Sequence, residues 1–319
     1  MEELELLSEV ARLYYENNMT QNEIAKHIHT SRSTVSRLLQ EAREKKVVEI
    51  HIHYPWDRSP VLEHQLLTKF GLKDIRILEA QNRRGEETLR GVALLAARYI
   101  DSVIKEDSIL GISWGKALHN TVEALNPNRK IPIKVVQLFG AAIPNSQTDG
   151  FNVVRKTAAI YGGKCYYIHA PLFVGSSEAR DVLIENPHIK ETLRIAEEAD
   201  IIVTGIGSLE PTVSPSQTWL SYLSKEAIEQ LKRKGAAGHI CAHHYDIMGN
   251  VLPLKLHAGI VGVGIELLKK VPVVIGIASG TEKARAIIGA LNGKLINTLI
   301  TDDRTAEKIL ELSSESFNI

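Results

Sequence analysis

Between Ser31 and Arg37 the chain sets out Ser31, Arg32, Ser33, Thr34, Ser36 and Arg37, interrupted only by Val35. Short hydroxyls and guanidinium groups at this density suit hydrogen bonds to phosphate oxygens and base edges, if one helix face presents them. Two further stretches suit a small anion or hydroxyl-rich ligand. Ser113-Trp114-Gly115-Lys116-Ala117 and Ser279-Gly280-Thr281-Glu282-Lys283 each follow an apolar, β-type run and lead into a helix. There, free backbone N–H groups and the helix dipole attract negative charge. A lysine in the first helical turn, as at Lys283, opposes that dipole, so a bound anion would relieve it. A fourth stretch runs Gly238-His239-Ile240-Cys241-Ala242-His243-His244. On a continuous strand His239, Cys241 and His243 share one side, open to a metal ion or to one ligand-facing histidine beside a buried cysteine. The mixed spacing and the lack of an adjoining carboxylate cluster favour the second.

The polar run must sit on a helix held by apolar partners. Leu6, Leu7, Val10, Leu13 and Tyr14 recur at helical spacing. Thr20 can cap a second helix with Glu23 three residues on as a capping box, which places Thr20 and Gln21 at its exposed start. Ile24, Ala25 and Ile28 continue it, and Thr30 or Ser31 caps a third helix with Val35, Leu38, Leu39 and Ala42 on one face. Small Ala25 lets the two helices cross closely, and Ser31 to Arg37 then face outward. His29 stands in the tight turn, where glycine would avoid strain. Beyond it Val48, Ile50 and Ile52 alternate with Glu49, His51 and His53, which predicts a strand or wing; Tyr54 to Pro60, with two prolines, predicts a linker. The expected organisation is a DNA-binding unit over 1–53, a linker over 54–60 and a second domain over 61–319.

From residue 61 onward strands and helices alternate. Strands are predicted at Ile75–Leu78, Ile109–Ile112, Val135–Leu138, Cys165–Ile168, Ile201–Thr204, His239–His243, Val273–Ile277 and Thr298–Thr301. Helices are predicted at Thr88–Ile104, Lys116–Leu125, Val153–Tyr161, Lys190–Ala196, Lys225–Lys232, Glu282–Leu291 and Thr305–Leu312. Apolar strands separated by helices imply an α/β fold with a mainly parallel sheet covered on both faces.

Composition narrows the function classes. At 319 residues with 44% hydrophobic and 24% charged side chains, the chain is neither disordered nor fibrous. The formal charge of zero names no polyanionic partner, but potential acts locally, and residues 20–46 hold six basic against three acidic side chains. Residues 1–53 as a whole hold seven basic against nine acidic, so few phosphates are neutralised per chain and nonspecific affinity is expected to be modest. Two distant cysteines, Cys165 and Cys241, give no disulfide framework, and the acidic Met1-Glu2-Glu3-Leu4-Glu5 start and lack of a long apolar run predict a cytosolic protein without membrane association.

The stretch Thr20-Gln21-Asn22-Glu23-Ile24-Ala25 through Ser31, Thr34-Val35-Ser36-Arg37-Leu38-Leu39 resembles the helix-turn-helix of bacterial regulators. Leu110-Gly-Ile-Ser-Trp-Gly115, Val135-Val-Gln-Leu138, Asp246-x-x-Gly249, Ala278-Ser-Gly-Thr-Glu-Lys283 and Leu299-Ile-Thr-Asp-Asp303 extend the resemblance over nearly the whole chain, to the SorC family of sugar-binding transcriptional regulators, in its sorbose and sorbitol branch. The resemblance implies a sheet related to sugar-phosphate isomerases and deaminases, a sugar, polyol or sugar-phosphate effector, double-stranded operator DNA as partner, and a homodimer or homotetramer. It carries effector contacts onto Ser113, Gly115, Lys116, Ala117, Phe139, Asn152, His239, Cys241, Ser279, Gly280, Thr281 and Lys283.

Two positions depart from relatives. Phe139 stands where some carry a lysine or arginine, so no Schiff base can form there, and Gly238-His239-Ile240 replaces a Gly-Asp-Ile segment. Both departures shift the expected effector from a phosphorylated sugar toward a free sugar or polyol. An isomerase- or deaminase-type enzyme on the same sheet is the alternative, but it would need a paired acid and base in the cleft, and the histidines lack an evident carboxylate partner. The expectation is therefore a sensor, not an enzyme, without cofactor or metal.

Overall fold

The computed structural model describes residues 2–48, 58–141, 150–210, 223 and 225–315. The chain divides into two compact units, Met1–Pro55 and Trp56–Ile319.

The first unit holds helices α1 (Glu2–Tyr15), α2 (Gln21–His27) and α3 (Arg32–Glu44). Thr20 caps α2 with both halves of the capping box in place, and Ser31 caps α3 through the Thr34 amide. Leu7, Val10, Ile24, Val35 and Ala42 are fully buried between the helices. Between α2 and α3, His29 takes φ +53°, the left-handed conformation that glycine adopts without a Cβ penalty. The expected wing and most of the linker lie outside the described residues.

The second unit opens with α4 (Pro60–Phe70), which the sequence reading left out, and then alternates β1 (Asp74–Leu78), α5 (Glu86–Val103), β2 (Ile109–Ile112), α6 (Lys116–Glu123), β3 (Lys134–Gln137), α7 (Gly150–Tyr161) and β4 (Lys164–Tyr166). Helices α8 (Ser177–Ile184) and α9 (Pro187–Glu197) precede β5 (Ile201–Gly205) and the short β6 (Gly207–Ser208). Then come α10 (Lys225–Arg233), β7 (Ala236–Ile240), β8 (His243–Asp246), α11 (Lys255–Ala258), β9 (Val273–Ile277), α12 (Ala284–Asn292), β10 (Thr298–Asp302) and α13 (Asp303–Glu315). Seven strands form one parallel sheet in the order β1-β10-β9-β5-β2-β3-β4. Its central strands are apolar on both sides, with β2 wholly buried, because helices cover both faces, while the edge strands β1 and β4 keep exposed or half-buried polar residues. From β2 the chain walks to β3 and β4, then returns to β5 on the other side, so the strand order reverses at β2 and β5. The loops leaving those two strands diverge at their carboxyl ends, where open α/β sheets form a binding crevice.

The structure corrects two readings. His239–His243 is not one strand: the chain turns at Cys241 and Ala242, both at positive φ, and β6, β7 and β8 form a separate antiparallel sheet. The alternation that put His239, Cys241 and His243 on one side therefore does not exist. The predicted Glu282–Leu291 helix is a 3-10 turn over Thr281–Lys283 followed by α12, so Lys283 caps the α-helix instead of lying within its first turn.

Candidate functional site

On α3 the residues divide by burial as the period requires. Val35, Leu38 and Leu39 are buried, while Arg32, Ser33, Ser36 and Arg37 are exposed and Thr34 and Gln21 are half-buried. The hydroxyls are not all free. Thr20 Oγ1 accepts from the Glu23 amide at 3.3 Å and donates to the Glu23 carboxylate at 2.8 Å. Ser31 Oγ accepts from the Thr34 amide at 3.2 Å and lies 2.8 Å from Ser33 Oγ and 2.9 Å from Thr34 Oγ1. Thr20 and Ser31 thus build the helix ends, and Arg32, Ser36 and Arg37 are the groups left to reach outward. An open concavity between the end of α1 and the start of α2 is lined by Tyr14, Asn18, Thr20, Gln21 and Arg32.

In the second unit, the ends of β2, β5, β7 and β9 meet. Ser113, buried after β2, accepts the Gly205 amide on Oγ at 3.4 Å and donates its own amide to Val203 at 3.0 Å. Gly115, at φ +135°, caps α6, whose first residues are exposed Lys116 and buried Ala117. Lys116 pairs with Glu86 at the start of α5. Gly207 lies flat against the His239 ring, where any Cβ would collide. The Ser279 to Lys283 loop is braced from below: the Gly280 amide donates to Thr305 Oγ1 at 2.9 Å, and Thr305 Oγ1 donates to the buried Asp302 carboxylate at 2.7 Å. Gly280, at φ +118°, makes the bend, and its N–H is spent on Thr305 instead of being free for an anion. Thr281 is exposed and Ser279 half-buried on the same loop.

Lys283 is half-buried and close enough to Lys116 to feel its charge. Burial pushes its pKa below the ordinary lysine value, and Lys116 adds to this, while Glu282 and Asp302 oppose it. His239 is driven down to about 4, first by burial and then by the Lys283 charge. The imidazole is therefore neutral at pH 7.

Phe139 and Asn152 lie at the β3 end. Phe139 is buried edge-on to Trp114, with ring centroids 5.5 Å apart, and Gly150, which opens α7, abuts Trp114 and Gln137. Asn152 is half-buried in the first turn of α7. Trp114 Nε1 is buried with no hydrogen-bond acceptor among the described residues, a donor that the sequence reading did not single out. Cys241 sits under the hairpin turn, its Sγ 3.6 Å from Thr204 Oγ1, and burial raises its thiol to about 12. It supports β5 from beneath. No group of three or more histidine, cysteine or carboxylate side chains suited to a metal ion occurs among the described residues.

Behind His239 stands a histidine cluster that spacing alone does not show. His239 on β7 pairs in register with His244 on β8, and their rings are 5.5 Å apart. The His244 amide donates to His257 Nε2 at 3.1 Å, and His244 Nδ1 lies 3.2 Å from the same nitrogen. His243 lies 5.1 Å from His257, ring to ring, with its Nδ1 2.8 Å from the Cys241 carbonyl oxygen.

Residues 55–311 match the family described as "Putative sugar-binding domain", and residues 7–45 match Sigma-70, region 4. The chain is 31% identical over 314 residues to the Sorbitol operon regulator of Klebsiella pneumoniae, covering 97% of this chain and 99% of the relative. It is 30% identical over 313 residues to Transcriptional regulator LsrR of Enterobacter sp. (strain 638), covering 98% and 94%. The crystal structure of the full-length sorbitol operon regulator SorC from Klebsiella pneumoniae superposes with a TM-score of 0.74 at 30% identity, covering 97% of this chain and all of that one. With a reading helix in one unit, a crevice of convergent loops in the other and relatives matched end to end, the chain belongs to the SorC family of ligand-responsive transcriptional regulators.

Proposed function

We propose that the chain controls a carbohydrate operon by binding operator DNA with α3 and a phosphorylated sugar or polyol at the ends of β2, β5, β7 and β9. One observation carries the choice of effector: two lysines at the crevice, Lys116 and Lys283, lie close enough for the charge of one to act on the other, and no salt bridge to Lys283 occurs among the described residues. A ligand phosphate would add negative charge beside both lysines, which moves the effector back from the neutral sugar that Phe139 and His239 alone suggested. In this reading Ser113, Gly115, Lys116, Ala117, Ser279, Thr281 and Lys283 surround the phosphate end. His239, Trp114 and Asn152 meet hydroxyls, Phe139 forms an apolar wall, and Gly280 and Cys241 shape and support the loops. Arg32 and Arg37 contact DNA with Gln21, Ser33, Thr34 and Ser36, while Thr20 and Ser31 fix the helix ends beside the phosphates.

One reading helix covers a single half-site, so the regulator acts as a dimer or tetramer on paired half-sites, in the cytosol, with 1–53 as reader, 54–60 as linker and 61–319 as sensor. The effector shifts operator affinity only by binding one state of the assembly better than the other. A thermal-shift screen of sugars, polyols and their phosphates, followed by a turnover assay on each hit, tests this. Stabilisation by phosphorylated compounds without turnover is expected; turnover would make it an enzyme, and stabilisation by free sugars alone would remove the phosphate.

A further inference from the structure

We propose that Arg58 and Glu63 are positioning residues for the effector response: their ion pair straps the last residues of the linker to the free edge of β1, and β1 is tied through β10 to the Gly280 loop. The proposal rests on the reading that this loop meets the effector.

The strap is built at a sheet edge that would otherwise be bare. β1 is an edge strand with β10 as its partner in the sheet, so backbone groups on its outer side need partners from elsewhere. The linker supplies them. The Ser59 amide donates to the Ile77 carbonyl oxygen at 3.1 Å, Arg58 bridges antiparallel to Leu78, and the Ile77 amide donates to Glu63 Oε1 at 2.8 Å. Arg58 closes the strap: its Nε donates to Glu63 Oε1 at 2.8 Å and its Nη2 to Oε2 at 2.5 Å. Glu63 lies in the first turn of α4 and is buried, whereas Arg58 is exposed. A two-point contact between planar groups fixes direction as well as distance, while a partly exposed ion pair adds little net stability. What the pair sets is the place and direction at which the chain enters the second unit.

The other side of β1 leads to the effector loop. Leu78 stands in register with Asp302 at the end of β10. The Asp302 carboxylate accepts from Thr305 Oγ1, which itself accepts the Gly280 amide at 2.9 Å. The two residues between them grip the chain as it leaves β1. Asp303 Oδ2 accepts the Ala80 amide at 3.1 Å, and the Arg304 guanidinium donates to the carbonyl oxygens of Gln81 and Arg83 at 2.5 and 2.9 Å. Asp302 to Thr305 therefore hold the Gly280 loop on one side and the strand that carries the linker on the other. Each step from Gly280 to Arg58 is a hydrogen bond or a strand pairing. Such contiguity lets a ligand that favours one position of the loop also favour one position of the linker. With the ion pair broken, the linker keeps only its backbone contacts at the edge, and a shift of β1 is absorbed there.

The experiment uses the full chain, labelled operator and sorbitol 6-phosphate as probe. Glu63→Gln keeps an acceptor for the Ile77 amide but no charge for Arg58, and Arg58→Lys keeps the charge. In the parent the probe is expected to change operator affinity by about tenfold or more, a usual scale for coupling between two sites. In Glu63→Gln that change is expected to shrink below about threefold, with probe affinity and probe-free operator affinity each within about twofold of the parent, while Arg58→Lys keeps most of the response. A merely structural pair would lower stability and leave the response intact. An undiminished response in Glu63→Gln overturns the proposal, and so does a response lost together with probe affinity. A second measurement needs no ligand: hydrogen exchange at single amides in Thr305→Val, which loosens the Gly280 loop. The Ser59 and Ile77 amides are expected to exchange at least about threefold faster than in the parent, while the Ile168 amide, held by Gln137 beside the opposite edge strand, is unchanged. Equal acceleration at all three, or none at Ser59 and Ile77, overturns the proposal whether or not Glu63→Gln folds. If the probe does not bind the parent, or binds without moving operator affinity, the effector reading fails alone and the exchange measurement decides the strap.

Discussion

Lys116 and Lys283 lie close enough for the charge of one to lower the pKa of the other; Lys116 is salt-bridged to Glu86, while Glu282 and Asp302 act on Lys283 without a salt bridge among the described residues. This pair of cations is the feature of the crevice that most directly suits an anionic ligand. Lys283→Ala is expected to abolish the effector's influence on operator binding while leaving affinity without effector unchanged. It should also raise thermal stability slightly, because burial disfavours the Lys283 charge more than Glu282 and Asp302 favour it. Fluorescence anisotropy of labelled operator with and without effector checks the first, and a melting curve the second.

On the reading helix, Arg37 is exposed and no ion pair competes for it among the described residues. Arg37→Ala is expected to weaken operator binding by about 1–3 kcal/mol if it reads a base edge, with discrimination relaxed at that position. If it touches phosphate, binding weakens evenly across sequences and the salt slope drops by about one. Binding curves at several salt concentrations, on operator and scrambled DNA, separate these outcomes.

The turn of the same unit gives two changes of opposite sign. Thr20→Ala removes the hydroxyl that accepts the Glu23 amide and is expected to cost about 1 kcal/mol. His29→Gly relieves a non-glycine residue at φ +53° and is expected to gain up to about 1 kcal/mol, less the backbone entropy of glycine. Hydrogen exchange of α2 and α3 amides in the full chain should slow in His29→Gly and quicken in Thr20→Ala.

Acid should destabilise the sensor unit before its carboxylates titrate. His239 and His257 are lowered from 6.5 to about 4, His243 and His244 are also lowered, and burial is the first cause in all four. Folded values below the unfolded value mean that this stability is complete above pH 6.5 and is lost as pH falls toward 4. Across pH 6 to 5 the first two alone approach a two-proton difference, so unfolding free energy should drop by up to about 2.7 kcal/mol per pH unit. Urea titrations at half-unit steps measure the slope, and a flat profile down to pH 5 would contradict the buried neutral cluster.

The Gly280 loop supplies a further expectation. Thr305 Oγ1 accepts the Gly280 amide and donates to Asp302. Thr305→Val keeps the shape but removes the hydroxyl between them, leaving the Gly280 amide only its longer 3.3 Å bond to Asp302 Oδ2, at a cost of about 1 kcal/mol. Effector affinity should fall with stability, and Thr305→Ser should restore both, as read by calorimetry and melting.

The sequence by itself determined what short-range chemistry encodes. The Thr20 to Glu23 capping box, the Ser31 cap and the spacing of Val35, Leu38 and Leu39 act within one or two turns, so the reader was legible residue by residue. The apolar runs of β1, β2, β5, β9 and β10 were equally plain, because a strand buried on both faces admits little else. Tertiary structure alone decided the rest. The return of β5 beside β2 puts Gly205 under Ser113, 92 positions apart, and strand order is a matter of long-range pairing that no local period records. The break at Cys241 and Ala242 uses positive φ in residues that are not glycine, which composition does not announce. The Glu86 that neutralises Lys116 is 30 positions away, and His257 meets His244 across 13 positions and a short helix. Single residues revealed which groups could bind a ligand. Which of them kept a charge or a hydroxyl available depended on partners that only folding brings into reach.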